Sequence, residues 1–228
     1  MFKIRNLKIF LFGSFEHLDF GFVSDFDIRI SDFLNNLFGS GNNGIGGKPM
    51  TKVKVAMDWL AACAGCEMSV LDMDEKLVEL LDRIELTSTP ITDLKHPPKE
   101  GVTVGIVSGT VNNTTNLEVV KEMRERCKIL IAMGDCAVFG GIMTMRNFFD
   151  MNEALKRAYI ETESTVEGIL PSSEELCKPI KACPVNNVVK VDVYLPGCPP
   201  SPEAIHYVLS ELLEGRIPVL SGENLKYD

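Results

Sequence analysis

The sequence runs to 228 residues, 45% hydrophobic and 24% charged, with 23 Lys and Arg against 32 Asp and Glu for a net charge of −9. This composition excludes an intrinsically disordered chain, and the length allows roughly 70% of the unfolded surface to be buried, in one main domain. An acidic chain with no run of Lys or Arg lacks the counterion release that drives nucleic-acid binding and is repelled by anionic membranes, so neither is an expected partner.

Nine of the twelve Phe lie at or before Phe38, and five glycines follow between Gly39 and Pro49. The break divides the chain into an aromatic-rich appended segment (1–38), a Gly-rich linker (39–49) and a main domain (50–228). Phe33, Leu34, Leu37 and Phe38 share one helical face. So many Phe cannot be buried within the segment, which is expected to dock on a partner subunit or on this chain. Gly39 to Gly44 spells G-x-G-x-x-G, but it neither follows a strand nor opens a helix, so it is linker and not a dinucleotide loop. Ile9-Phe10-Leu11-Phe12 stops at Gly13, far short of the ~20 apolar residues of a membrane span, and no twin arginine or cleavage site is present. The expected location is the cytoplasm.

Beyond Met50 strands and helices alternate. Lys52 to Met57 reads as a strand, Ser69 to Leu81 as one helix (Val70, Met73, Leu77, Leu80 on its face), and Arg83 to Thr87 as a second strand. Strands at Val102 to Val107, Ile129 to Met133 and Val188 to Leu195 flank helices at Asn116 to Arg126 and Met151 to Ile160. The last helix begins with Ser201 as N-cap and Pro202 in its first position. The alternation implies right-handed crossovers and a flavodoxin-like α/β domain, a parallel sheet with helices on both faces.

Seven cysteines in a reducing compartment argue for metal ligation or redox chemistry beside plain buried thiols. Cys63 and Cys66 follow the first strand in Trp59-Leu-Ala-Ala-Cys-Ala-Gly-Cys66, Cys136 follows the Ile129 strand in Gly134-Asp-Cys136, and Cys198 follows the last strand in Leu195-Pro-Gly-Cys-Pro-Pro200. In a parallel sheet these C-terminal strand ends share one edge, so the four can converge. Four thiolates specify zinc or an iron–sulfur cluster. One C-x-x-C pair plus two ligands from distant loops suits a wide cluster cage better than the paired knuckles of structural zinc. A thioredoxin-type dithiol at Cys63 and Cys66 would leave Cys136 and Cys198 unexplained. Cys127 ends a helix on this reading, and Cys177 and Cys183 lie in an irregular stretch; all three read as ordinary thiols.

Trp59-Leu-x-x-Cys-x-Gly-Cys66, Gly134-Asp-Cys136-Ala-Val and Val191-Asp-Val-Tyr-Leu-Pro-Gly-Cys-Pro-Pro200 together resemble the small subunit of nickel–iron hydrogenases over about residues 52 to 215. Leu71-Asp-Met-Asp-Glu75 and Met145-Arg-Asn147 add likeness to the short small subunits of soluble, cytoplasmic, NAD(P)-linked or electron-bifurcating enzymes. The resemblance implies that Cys63, Cys66, Cys136 and Cys198 bind one proximal [4Fe-4S] cluster. It implies a large subunit carrying the NiFe centre and iron–sulfur/flavin subunits of diaphorase type as partners, with no catalysis by this chain alone. No cysteine follows Cys198, which leaves no room for further clusters.

Two other readings stand beside it. A cluster-bearing subunit of a complex I-like quinone oxidoreductase would carry adjacent cysteines in the first motif, where Ala62 precedes Cys63. A zinc-stabilised scaffold would have no redox role. His17, His96 and His206 match no ligand spacing. Glu67 could relay protons, meet the large subunit or merely favour a helix N-terminus. Met143, Met145, Phe148 and Phe149 suit either a core or a permanent subunit interface.

Overall fold

The computed structural model describes residues 52–225; the appended segment, the linker and His17 lie outside the described residues. Five parallel strands form the sheet: β1 (Val53–Trp59), β2 (Ile84–Ser88), β3 (Val102–Ser108), β5 (Cys127–Met133) and β7 (Val193–Leu195), in the order β2-β1-β3-β5-β7. Between them lie the short β4 (Val111–Asn113) and β6 (Pro179–Cys183), which pair antiparallel as a separate ribbon. Set the ribbon aside and the order is the doubly wound 2-1-3-4-5 of flavodoxin-like folds, with its switch point between β1 and β3.

The sheet is buried on both faces, and the two-residue period of its strands sorts the core into two layers. Val55, Met57, Val104, Ile106, Ile131 and Met133 face α2 (Glu75–Arg83) and α6 (Pro202–Leu213), where Leu80, Ile205, Val208 and Leu209 meet them. Ala56, Val107, Leu130 and Ala132 face the other way, onto Val120 and Met123 of α3 (Thr114–Arg126). Burial of each such side chain is worth about 1.5–3 kcal/mol, so the layers outweigh any single polar contact in fixing the sheet. The predicted cap of α6 is present: Ala204 N donates to Ser201 Oγ at 3.2 Å, with Pro202 opening the helix. Among the described residues, no helix is long and apolar enough to cross a membrane.

Three expectations need correction. The single helix over 69–81 is two, α1 (Gly65–Leu71) and α2, separated at Asp72–Asp74, where Asp74 takes φ 52° and Met73 turns into the core. Periodicity survives the break because both halves pack on the same layer. The strand over 188–195 shrinks to β7, because Asp192 uses its carboxylate as well as its amide on Leu130: Leu130 N donates to Oδ2 at 2.9 Å and Asp192 N donates to Leu130 O at 2.9 Å. Cys183 closes β6 instead of lying in irregular chain, whereas Cys127 ends α3 as expected, as its C-cap, and also opens β5.

Candidate metal centre

Because β1, β3, β5 and β7 are parallel, their C-terminal ends lie at one edge, and the chain leaving β1, β5 and β7 carries the four motif cysteines. All four line one pocket of about 50 Å³, together with Gly65, Gly109, Gly197 and Pro199. Cys66 lies in α1 and Cys136 in α4 (Gly134–Phe139), both half-buried, while Cys63 and Cys198 are exposed at the rim. A larger open groove, about 750 Å³ between Phe149 and α5 (Met151–Tyr159), contains no cysteine or histidine.

Protein hydrogen bonds alone hold the loops in register. Leu60 N donates to Ser108 O at 2.8 Å, and Ala61 and Thr110 exchange backbone hydrogen bonds of 3.1 and 3.0 Å, fastening the first motif to the end of β3. Asp135 N donates to Gly197 O and Gly197 N to Asp135 Oδ1, each at 2.8 Å, which clamps the Cys136 turn to the Cys198 loop. Ser69 Oγ donates to Pro200 O at 2.5 Å, closing the ring back to α1. Thr110 Oγ1 lies 2.8 Å from Gly140 O and 3.1 Å from Cys136 O.

At two glycines the missing side chain clears a cysteine sulfur. At Gly134 (φ 83°) a Cβ would collide with Cys66 Sγ, and at Gly141 (φ 51°) it would stand 2.6 Å from Cys136 Sγ. The backbone thus makes room for sulfur. Between the paired cysteines, Ala64 takes the left-handed conformation at φ 65° as the residue that precedes α1.

Burial, followed by the charge of Glu67 and of the other three cysteines, pushes the Cys66 thiol up to about 12. The Cys136 thiol is also raised, first by burial and then by Cys198 and Cys63, against hydrogen bonds from Thr110 and the Ile142 amide. Four thiolates gathered this way need a cationic group among them, and binding one would release protons. Among the described residues, no three His, Cys, Asp or Glu side chains form a group that could hold a single metal ion. The donor set and the glycine clearance fit an iron–sulfur cluster.

The remaining candidates stand apart from the pocket. Cys127 is buried against Gly105, where burial raises its thiol to about 11; Cys183 is half-buried at the end of the ribbon, and Cys177 is exposed. His96 is exposed beside Glu122 at 3.4 Å, and His206 lies on α6. Met145, Phe148 and Phe149 are not core: with Phe139 and Ile142 they form an exposed apolar surface directly after Cys136, Phe148 being 84% exposed. Glu67 is buried and receives a hydrogen bond from Ser108 Oγ. Sequence reasoning missed Ser69, Ser108, Thr110 and Asp135. The signal for two of them was Ser108-Gly-Thr110 at the end of a buried strand beside the switch point.

The chain matches the NADH ubiquinone oxidoreductase 20 Kd subunit family over residues 63–212. It is 40% identical over 181 residues to the delta subunit of the NAD-reducing hydrogenase HoxS of Cupriavidus necator, covering 78% of this chain and 86% of that one. It is 34% identical over 177 residues to a subunit of the F420-non-reducing hydrogenase of Methanothermobacter marburgensis, covering 76% of this chain but only 58% of the relative. One chain of the NAD+-reducing [NiFe]-hydrogenase crystal structure in the H2-reduced state aligns with a TM-score of 0.75 at 33% identity, covering 78% of this chain and 100% of that one.

Proposed function

This chain belongs to the NADH ubiquinone oxidoreductase 20 kDa subunit family, among its nickel–iron hydrogenase small subunits, and we propose that it relays electrons through one [4Fe-4S] cluster bound by Cys63, Cys66, Cys136 and Cys198. The observation that carries the reading is the convergence of these four cysteines on a single pocket from three loops that the protein itself braces. When bound, the cluster supplies a one-electron carrier.

The chain's own residues supply the rest. The Asp135–Gly197 clamp ties the Cys136 turn to the Cys198 loop, and the Ser69–Pro200 hydrogen bond ties that loop to α1. Met133 and Leu195, almost fully buried at the ends of β5 and β7, exclude water from beneath the site. The rim cysteines Cys63 and Cys198 are exposed, and the exposed apolar residues Phe139, Ile142, Met145, Phe148 and Phe149 follow Cys136 in sequence. A patch of this kind suits a permanent partner, here the large subunit that holds the NiFe centre. Electrons then pass to an iron–sulfur/flavin, NAD(P)-linked module in the cytoplasm, a reading supported by the NAD-reducing relative. Residues 1–38 are the docking arm for that module.

Metal analysis of the purified complex tests the cluster. Relative to the wild-type complex, Cys136→Ser should lose iron and acid-labile sulfide in equal amounts, about four of each, whereas Cys127→Ser should lose neither. Zinc without sulfide would return the scaffold reading, and equal loss from both variants would refute the ligand set. A partner without nickel would favour the quinone oxidoreductase alternative.

A further inference from the structure

From Gly141 to Pro179 no residue is buried, although α5 and a long irregular run lie between them. Ordering a residue has an entropic cost that burial normally offsets, and this stretch supplies no such burial. The hydrogen bonds of residues 162–176 return to the same run: Thr165 N donates to Thr162 O at 3.0 Å and Leu176 N to Ser173 O at 3.2 Å. Within it, Val166 and Ile169 are 88% and 81% exposed. Glu161, Glu163, Glu167, Glu174 and Glu175 are exposed too, with no Lys or Arg between Ile160 and Leu176, so this run holds −5 of the chain's net −9. None of the five forms an ion pair among the described residues. A merely solvated loop has no use for Val166 and Ile169, and a merely apolar contact has no use for five carboxylates. Together they suit a partner whose surface sets apolar side chains among cations. The run begins at the groove of about 750 Å³ lined by Phe149, Ala154 and Ala158, where Glu153 and Glu161 balance Lys156 and Arg157. Phe149 belongs both to this groove and to the exposed apolar residues after Cys136, so a partner covering Phe148 and Phe149 meets the acidic run next.

We infer that residues 160–176 form an acidic rim of the contact with the large subunit, which faces them with a basic surface and seats an apolar side chain in the Phe149 groove. The inference rests on the reading above that the apolar residues after Cys136 meet that subunit. Charges on a rim draw the partner in and set its orientation, and added salt screens them. The same charges turn away nucleic acids and anionic membranes, and a second copy of this chain would set five glutamates against five.

The test is dissociation of the purified complex on dilution, at ionic strengths of about 0.05 and 0.5 M. The wild-type complex should loosen as salt is added. A variant combining Glu163→Gln, Glu167→Gln, Glu174→Gln and Glu175→Gln should be looser by about tenfold at low salt and lose most of the salt dependence. A control combining Glu79→Gln, Glu85→Gln, Glu100→Gln and Glu118→Gln, which are exposed outside the run, should behave as wild type. Equal loosening in the control would mean that net charge alone acts, and it overturns the inference, as does a wild-type complex indifferent to salt. Hydrogen exchange gives a measurement that needs no variant: amides of 162–176 should exchange more slowly in the complex than in the free full-length chain, and equal rates also overturn the inference. If Phe148→Ser loosens the complex while the four glutamines in the run do not, this inference falls alone. If Phe148→Ser has no effect, the large-subunit contact itself has been misplaced.

Discussion

Clearance around sulfur is set one residue at a time. Gly134 sits at φ 83° with its missing Cβ directed at Cys66 Sγ, so Gly134→Ala meets both a left-handed penalty of about 1–2 kcal/mol and a collision with a ligand. The expected outcome is a chain that keeps its far-UV circular dichroism but loses most of its iron; full iron content would show that the loop can yield. Gly65 faces Cys63 Sγ at the looser distance of 3.3 Å, so Gly65→Ala should be the milder change. The convergence of the four cysteines was readable because thiols after three strand ends of a parallel sheet share one edge. Ser69 and Asp135 were not readable as braces, because a hydroxyl or carboxylate bound to a backbone 62 or more residues away leaves no local spacing.

At the scale of elements, the α1–α2 junction stores strain that the site does not use. Asp74 takes φ 52°, ψ −123° with no capping hydrogen bond from its side chain. Strain of this kind costs about 1–3 kcal/mol, so Asp74→Gly should raise the melting temperature of the complex without altering iron content, and a lowered one would mean the side chain is needed. Sequence periodicity located the central strands and α6 well, since β3 and β5 are near-continuous apolar runs and Ser201-Pro202 marks a helix start. It failed where side chains replace backbone. Asn147 exchanges hydrogen bonds of 2.8 and 2.9 Å with Ala182, and Arg146 donates to Asn112 O and Ile180 O, so the β4–β6 ribbon is held to the helical turn after Cys136 by groups that periodicity does not register. The helix over 69–81 was overextended for a related reason: Val70, Met73, Leu77 and Leu80 keep helical spacing across a break that only backbone geometry reveals.

For the whole molecule, a net charge of −9 disfavours self-association, and the exposed apolar residues after Cys136 are the surface proposed to meet the large subunit. Phe148→Ser should leave iron in this chain unchanged while weakening its pairing with the large subunit by on the order of 2 kcal/mol, about thirtyfold, as measured by dissociation on dilution. Undiminished pairing would move the interface elsewhere. The proposed arm makes a separate prediction: a chain starting at Met50 should keep cluster and large subunit but lose coupled reduction of the downstream acceptor. Unchanged coupling would refute the docking role.

The order of the strands has one further consequence, in time. Cys63, Cys66 and Cys136 are all synthesised before Cys198, whose loop follows the short edge strand β7. At about 5–20 residues per second, some 3–12 s separate translation of the third cysteine from the fourth. During that interval the nascent chain can display three thiols but neither the β7 pairing nor the Asp135–Gly197 clamp. A complete ring of four cysteines thus certifies that the last strand has been made and docked, so the proposed cluster finds a finished site only on a chain synthesised beyond Cys198.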